Sequence, residues 1–546
     1  MPVEPQNSAT AAPAKAQAFD RRARENQRHL AANLTATYDF IVCGAGSSGS
    51  VVARRLAENP AVRVLLLEAG GSDEVPAVLD PLQWPTNLGS ERDWGFQAAP
   101  NPHLNNRVMP LSMGKVLGGG SSINVLAWVR GHREDWEHFA AEAGDEAWNY
   151  QSVLGLYRRI EDWQGTPDAA YRGSGGPVTV QPAHHPSPVI PALLAAAVAS
   201  GIPQVPSING ALMEGGNGCA PTDIIVKDGH RQSIYQAYVH PVLDQPNLTV
   251  RTGALVTRLT FAGRQATGVE VLLDGQLRHF AASREVVLSL GALQTPKLLL
   301  QSGIGDEAEL RKFAIPLVQH LPGVGQNMQD HVGFSNVYEM NQFLPPHNNI
   351  AEALLFWHSN PALASPDILA FMAGAPLASA ENQVRYAPPA NCYTLFYGLC
   401  QPKSRGRLWL TGARPTDPLR IEANALAHPD DMQTALAGMR LCRELGNAAP
   451  LRSFAKRELM PGPLSGAALE NYLRDAASTY WHQTCTAKMG RDELSVVDGQ
   501  LRVYGIQNLR IADGSIMPRV TTGNTMAPCV VIGERASDLL KVAHGL

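Results

Sequence analysis

Six residues, Gly44-Ala45-Gly46-Ser47-Ser48-Gly49, separate a run of β-formers, Tyr38 to Cys43, from a segment with helical spacing. In that segment Val51, Val52 and Leu56 share one side, and Arg54 and Arg55 lie on the other. A second apolar run, Val62 to Leu67, ends in Glu68, nineteen residues past the last glycine. Strand, glycines, helix, strand and terminal acid form a dinucleotide-binding arrangement. The glycines allow a tight turn, close approach of backbone to a pyrophosphate, and close helix–strand packing. Free N–H groups at the helix start bind phosphate, and Glu68 accepts from ribose hydroxyls. A second negative charge facing Glu68 would repel it, so a 2′-phosphorylated nucleotide is disfavoured.

The elements around this motif must come from a large chain. Its 546 residues are 45% hydrophobic and 17% charged, which permits a substantial core and argues against global disorder. The formal net charge of -4 gives no basic excess for nucleic acid or an anionic membrane. Seven scattered cysteines form no C-x-x-C pair, so neither a disulfide scaffold nor a zinc site is expected. No apolar run reaches the ~18–20 residues of a membrane span, and the N-terminus has no secretory apolar stretch. The expected location is the cytoplasm. Residues 1–36 are expected to be a loose arm with a short helix around Phe19 to Leu30.

No later glycine cluster repeats the motif: Gly303-Ile304-Gly305 and Gly323-Val324-Gly325 each lack the third glycine. One nucleotide site in so long a chain favours a resident flavin over a nicotinamide that comes and goes. Gly118-Gly119-Gly120 can lie flat against a ring, and Ser121, Ser122 and Asn124 can hydrogen-bond its oxygens. Gly291-Ala292-Leu293-Gln294-Thr295-Pro296 follows the apolar run Glu285 to Leu290 as a strand-to-helix turn. Asp513-Gly514 follows the strand-like Leu509 to Ala512 as another turn.

Together these segments resemble the glucose–methanol–choline (GMC) family of FAD-dependent oxidoreductases. Gly114 to Asn124 resembles its first signature, and Gly291 to Pro296, running on through Ser302 to Gly305, resembles its second. Tyr480-Trp481-His482-Gln483-Thr484-Cys485 and Thr521-Thr522-Gly523-Asn524 resemble its catalytic region. The likeness runs from about Thr37 to the C-terminus. It implies an α/β fold with an α+β substrate part: a Rossmann-like FAD-binding domain beside a sheet-based substrate domain. The FAD-binding domain is expected to be discontinuous, over 37–162, 248–330 and 489–546, with the substrate domain over 163–247 and 331–488. The resemblance places FAD against Gly44, Ala45, Gly46, Ser47, Ser48, Gly49, Glu68, Ala69, Val116, Gly119, Ser122, Asn124, Val125 and Leu126. It adds Val256, Ala292, Trp481, Asp513, Gly514, Asn524, Thr525 and Met526. Some relatives attach FAD through a histidine in the first signature; Met113 to Arg130 contains none, so noncovalent FAD is expected.

By the same resemblance His482 is the base and Asn524 its partner, as in choline-oxidising and furfuryl-alcohol-oxidising members. Cys485 departs from the glycine usual there. Oxidising an alcohol moves a hydride from carbon to flavin and a proton from oxygen to a base. Imidazole's pKa near ~6.5 against ~15.7 for a hydroxyl like that of water leaves a gap of roughly 12 kcal/mol. A free alkoxide is therefore excluded: either the site stabilises it strongly, or proton and hydride leave together. A neutral His482 can accept the proton while the Asn524 amide holds the oxygen.

The expected reaction is oxidation of a primary alcohol to an aldehyde, with the acid as a further product left open. Electrons pass to O2, a quinone or another acceptor. Trp481, directly before the base, resembles members that act on aryl or furanic alcohols. A same-fold lyase that cleaves cyanohydrins without net redox chemistry stays open, as does a noncatalytic FAD-binding protein. Pro376 to Pro389 and Pro461 to Gly466 read as loops that can form a lid, and Arg407 to Leu410 and Pro177 to Val180 as strands.

Overall fold

The computed structural model describes residues 11–546. The run Tyr38 to Cys43 is a strand, β1 (Thr37–Cys43), and the glycine turn leads into a helix, α1 (Ser47–Ala57). The strand β2 (Val64–Leu67) pairs parallel to β1, with Cys43 opposite Leu67. Next in chain order come β3 (Leu248–Arg251), β4 (Ala254–Ala262), β5 (Gln265–Leu273), β6 (Gln276–Leu288) and β7 (Leu509–Ile511). In space the order is β3-β2-β1-β6-β5-β4. β4 and β5 form an antiparallel extension, and β7 runs parallel to the C-terminal end of β6. All four residues of β2 are buried, as expected of a parallel strand covered on both faces.

This order puts several strand ends at one edge. Cys43 pairs with both Leu67 and Leu288, and Leu288 also pairs with Ile511. Gly44, Glu68, Ser289 and Ala512 therefore leave the sheet side by side, at the carboxyl ends where open α/β sheets bind ligands. Backbone hydrogen bonds from Gly44 N to Leu67 O (2.7 Å) and from Ser289 N to Cys43 O (2.7 Å) hold them together.

A second sheet is antiparallel, in the order 455–460, 332–340, 392–399, 368–373, 351–357 and 218–221. Ser478–Thr479 adds to it by pairing with Val332 and Gly333. Its strands lie within 163–247 and 331–488, and those of the first sheet within 37–162, 248–330 and 489–546. Arg407–Leu410 is a strand, but in a separate two-stranded sheet with Leu419–Glu422. Val178–Pro182 is likewise a strand of a small three-stranded sheet. The stretch Pro376 to Pro389 contains a helix, Ala380–Tyr386, started by Ser379, whose side chain accepts from Asn382 N.

The C-terminal helix, α2 (Met526–His544), packs on α1. A Cβ on Gly533 would sit 2.8 Å from Ser48 O, so the contact needs the glycine. Buried Glu534 receives Arg55, Arg159 and Tyr238, which satisfies a carboxylate that would otherwise be costly there.

Within the expected arm, the helix expected around Phe19 to Leu30 is present and longer, Ala11–Ala32; residues 1–10 lie outside the described residues. The helix docks because polar side chains meet unpaired backbone at the entry to β3. Asn26 Nδ2 donates to Leu243 O and Gln245 O, and Gln27 Nε2 donates to Leu243 O and Leu248 O. Gln27 Oε1 in turn accepts from Val250 N at 3.0 Å. Gln27→Ala is expected to cost about 1–2 kcal/mol, because partly buried backbone groups lose their partners. A thermal midpoint equal to that of the unsubstituted protein would show that the helix rests on the fold without stabilising it.

Candidate active site

At the shared strand edge lies a cavity with about 1770 Å³ of empty space, its open mouth included. It is bordered by Gly44, Gly46, Ser47, Ser48, Glu68, Ala69, Gly119, Asn124, Val125, Val256, Ala292, Trp481, His482, Asp513, Gly514, Asn524, Thr525 and Met526. The structure thus brings together most of the positions named from the sequence.

Five named positions do not border it: Ala45, Gly49, Val116, Ser122 and Leu126. A Cβ on Gly49 would lie 1.9 Å from Gly44 O, so this glycine serves helix–strand packing. Ser122 is fully buried and its hydroxyl donates to Leu117 O at 2.5 Å. Ser121 does border the cavity, yet its hydroxyl donates to Gly118 O. Asn124 is also committed within the protein: its Oδ1 accepts from Leu126 N and Arg231, and its Nδ2 donates to Met526 Sδ.

At the nucleotide end, Glu68 accepts from Ala45 N at 3.0 Å and Gly70 N at 2.8 Å. Burial pushes its carboxyl up to about 7, against the pull of those N–H groups. Asp513 accepts from Gly291 N, Thr295 Oγ1 and Ser515 N, so one buried acid fixes two of the turns. Pro296 lies inside the helix Gly291–Gln301 and cannot donate to Ala292 O. The Thr486 hydroxyl donates to that carbonyl instead, at 2.5 Å, tying the second signature to the segment that carries His482.

His482 is held where the two sheets meet. Its backbone N donates to Asp330 Oδ1 at 2.9 Å, and Asp330 Oδ2 accepts from Thr479 and Gln483 side chains. Tyr480 N donates to His331 O, continuing the pairing of Ser478–Thr479 with the second sheet. Trp481 has φ 62 and Cys485 φ 73, both in the left-handed region. The usual glycine at the position of Cys485 thus has a backbone reason, and the cysteine is held there at a cost of about 1–2 kcal/mol. The His482 imidazole is pushed well below its ordinary 6.5 by burial and by His331 beside it, so it is neutral.

His331 was not foreseen from sequence. It is fully buried; its Nδ1 lies 2.8 Å from His482 Nδ1 and its Nε2 lies 2.9 Å from Thr521 O. It therefore links His482 to the segment that carries Asn524. The signal was present as a polar run, Asn327-Met328-Gln329-Asp330-His331, just before an apolar strand. Gln329 also ties these segments: its carbonyl accepts from Thr484 N and its Oε1 from Val520 N.

Around His482 the wall is aromatic. Tyr480 lies 5.4 Å from His482 and 5.5 Å from Phe371 between ring centroids, and Trp84 meets Trp481 edge-on at 6.2 Å. Among the described residues, the acids bordering the cavity are Glu68 and Asp513, both at the strand edge.

Three observations test whether a dinucleotide fits. A Cβ on Gly46 would meet nothing within 4 Å, although Gly46 borders the cavity beside the free N–H groups of α1. The Arg231 guanidinium is buried, donates to Ser121 O and Asn124 Oδ1, and has no ion pair among the described residues. Its pKa is pushed down to about 9 by that burial, and it backs Asn124 without itself bordering the cavity. Asn524 Oδ1 is buried without a hydrogen-bond partner. The residues fit the group.

Comparison with known proteins agrees with this geometry. GMC oxidoreductase family models match residues 38–333 and 402–533. An alcohol dehydrogenase [acceptor] of Pseudomonas putida is 35% identical over 535 residues, covering 92% of this chain and 95% of that protein. An oxygen-dependent choline dehydrogenase of Paraburkholderia xenovorans is 36% identical over 549 residues, covering 93% and 95%. The crystal structure of pyridoxine 4-oxidase from Mesorbium loti superposes with a TM-score of 0.87 at 29% identity, covering 93% of this chain and 99% of that one. A fold with a dinucleotide edge beside an antiparallel sheet, and a buried histidine between them, defines a flavoprotein oxidoreductase. The chain belongs to the GMC oxidoreductase family.

The two glycines separate packing from binding. Gly49→Ala is expected to destabilise the fold by at least the roughly 1–3 kcal/mol of an overpacked core. Gly46→Ala is expected to keep the thermal midpoint of the apoprotein but weaken FAD retention about tenfold or more. Equal effects of the two on apoprotein stability would contradict the assignment of Gly46 to the ligand.

Proposed function

We propose that this chain oxidises an uncharged primary alcohol with a flat, apolar substituent to the aldehyde, using FAD. The observation that carries the proposal is a neutral, buried imidazole and a partner-free amide on the wall of one cavity. Bound FAD supplies the acceptor for the hydride. The α1 N-terminus, Gly46, Glu68, Ala69, Val256 and Asp513 would hold its nucleotide part; Gly119, Asn124, Ala292, Thr525 and Met526 would border the ring. With no histidine among Met113 to Arg130, we take attachment to be noncovalent.

His482 accepts the hydroxyl proton, and Asn524 donates to the same oxygen. The orphaned Asn524 Oδ1 is an acceptor that calls for a ligand N–H or O–H beside it, since buried polar atoms rarely lack a partner, and Nδ2 is the group that would donate. The alcohol's substituent lies among Trp84, Phe371, Tyr480 and Trp481, which exclude water and leave the base unprotonated. The electron acceptor is O2 or a quinone-like molecule; the named relatives include both oxygen-dependent and acceptor-linked enzymes. All seven cysteines are free, and no helix among the described residues is long and apolar enough to cross a membrane. The free thiols support a reducing, cytoplasmic setting.

A fixed cation such as choline fits this end less well. Aromatic faces offer a cation about 0.5–2 kcal/mol, against a desolvation cost of several kcal/mol per ion. Among the described residues no carboxylate lines the cavity at this end; Asp330, which holds the His482 backbone, lies behind it. Benzyl or furfuryl alcohol is therefore expected to exceed choline in kcat/KM by at least about tenfold. A choline value equal or higher would overturn the substrate assignment while leaving the oxidation itself intact.

His482→Ala is expected to keep FAD and lose about 10²–10⁴ in turnover, the usual contribution of a positioned base. In the unsubstituted enzyme the base is active when unprotonated, so kcat/KM falls as pH falls through its pKa. That limb is expected below pH 6.5, because burial depresses the imidazole. A limb at or above 6.5, or near-normal turnover by His482→Ala, would remove the base assignment.

A further inference from the structure

The chain places two imidazoles in series behind the alcohol site. Thr521 O, 2.9 Å from His331 Nε2, is a carbonyl and can only accept. His331 Nε2 therefore carries the hydrogen. In a neutral ring the other nitrogen is then bare, so His331 Nδ1 can only accept. The atom 2.8 Å from it is His482 Nδ1, which must carry a hydrogen for this contact to be a hydrogen bond. His482 Nε2 is then the bare nitrogen. It has no hydrogen-bond partner among the described residues, and His482 borders the cavity while His331 does not.

The geometry points to His331 as a positioning residue: it reads the fixed polarity of the Thr521 carbonyl and imposes one tautomer on His482. Without it, the two tautomers of a neutral His482 compete, and the one with hydrogen on Nε2 offers substrate a donor where a base is needed. The ring is held in place as well as in tautomer. The two imidazoles stand nearly perpendicular, at 89° and 4.9 Å between centroids, with Tyr480 against both. His331 is fixed by its own chain, because Tyr480 N donates to its carbonyl and Val332 enters the second sheet. Thr521, the origin of the polarity, lies three residues before Asn524 and is followed by Thr522, whose N–H and hydroxyl both bind buried Asp135. The carbonyl that orients the base thus belongs to the segment that presents the amide.

Setting the tautomer changes no covalent bond; in turnover the alcohol O–H bond breaks as an N–H bond forms on His482. The proton taken from an alcohol arrives on His482 Nε2, and the hydrogen on Nδ1 stays shared toward His331. The proposal rests on His482 being the base, but its test does not depend on turnover alone.

In the FAD-loaded protein labelled with ¹⁵N-histidine, the His482 resonances are identified by their loss in His482→Ala. The expected shifts are those of a protonated Nδ1 and a bare Nε2. Two variants then separate tautomer control from packing. In His331→Asn the side-chain oxygen can take the place of Nδ1 and accept from His482, whereas in His331→Gln the amide can reach Thr521 O but leaves no acceptor at that place. His331→Asn is expected to keep the Nδ1–H form of His482 and turnover within about tenfold. His331→Gln is expected to show both tautomers and lose about 10²-fold in kcat, in line with other residues that orient a functional imidazole. FAD content and thermal midpoint should match between the two. A proton on His482 Nε2 in the unsubstituted protein overturns the proposal, as does equal kcat in the two variants. If His482→Ala itself stays active while the shifts are as expected, the base assignment fails and the tautomer lock stands.

Discussion

An imidazole proposed to take a proton competes with water, where about a quarter of it is already protonated at pH 7 from an ordinary pKa of ~6.5. Burial removes that competition at the cost of desolvating any charge that later forms on the ring. Much of the structure around His482 is arranged to bear this cost. Asp330 holds its backbone, His331 satisfies one ring nitrogen, and aromatic rings close the remaining sides. The left-handed backbone at Trp481 and Cys485 shows that local conformation yields to this placement. Neither residue would choose that geometry alone, and the surrounding hydrogen bonds hold it.

The same constraint explains why two sheets are needed. The parallel sheet gathers Gly44, Glu68, Ser289 and Asp513 at one edge, which serves phosphates and ribose well but supplies no base. The antiparallel sheet delivers His331 and, through its pairing with Ser478–Thr479, delivers His482. Residues 327–331 bind Thr484 and Val520, so base and amide are set relative to each other by one short segment. Arg231, a buried cation with no anion of its own among the described residues, stands behind Asn124 and outside the cavity lining.

Much of this was legible in the sequence, for local reasons. The first strand, its glycine turn and Glu68 lie within about thirty residues, and each residue type has one backbone or hydrogen-bonding reason to be there. The resemblance to GMC oxidoreductases carried His482 and Asn524, which no spacing could pair across forty-two residues. Long-range choices were not legible. Ser122 and Ser121 have similar chemistry, and only packing decides which faces the cavity. Polar composition alone suggested a loose N-terminal arm; the unpaired backbone near β3 that makes Asn26 and Gln27 useful lies more than 200 residues away. His331 was hidden among sixteen histidines because its partners, His482 and Thr521, are distant in the chain.

The most direct measurement is anaerobic mixing of the FAD-loaded protein with benzyl alcohol, following the oxidised-flavin absorbance and the product together. Bleaching of the flavin with one aldehyde formed per flavin is the result this account predicts. A flavin that stays fully oxidised while every tested primary alcohol remains unconsumed would contradict it.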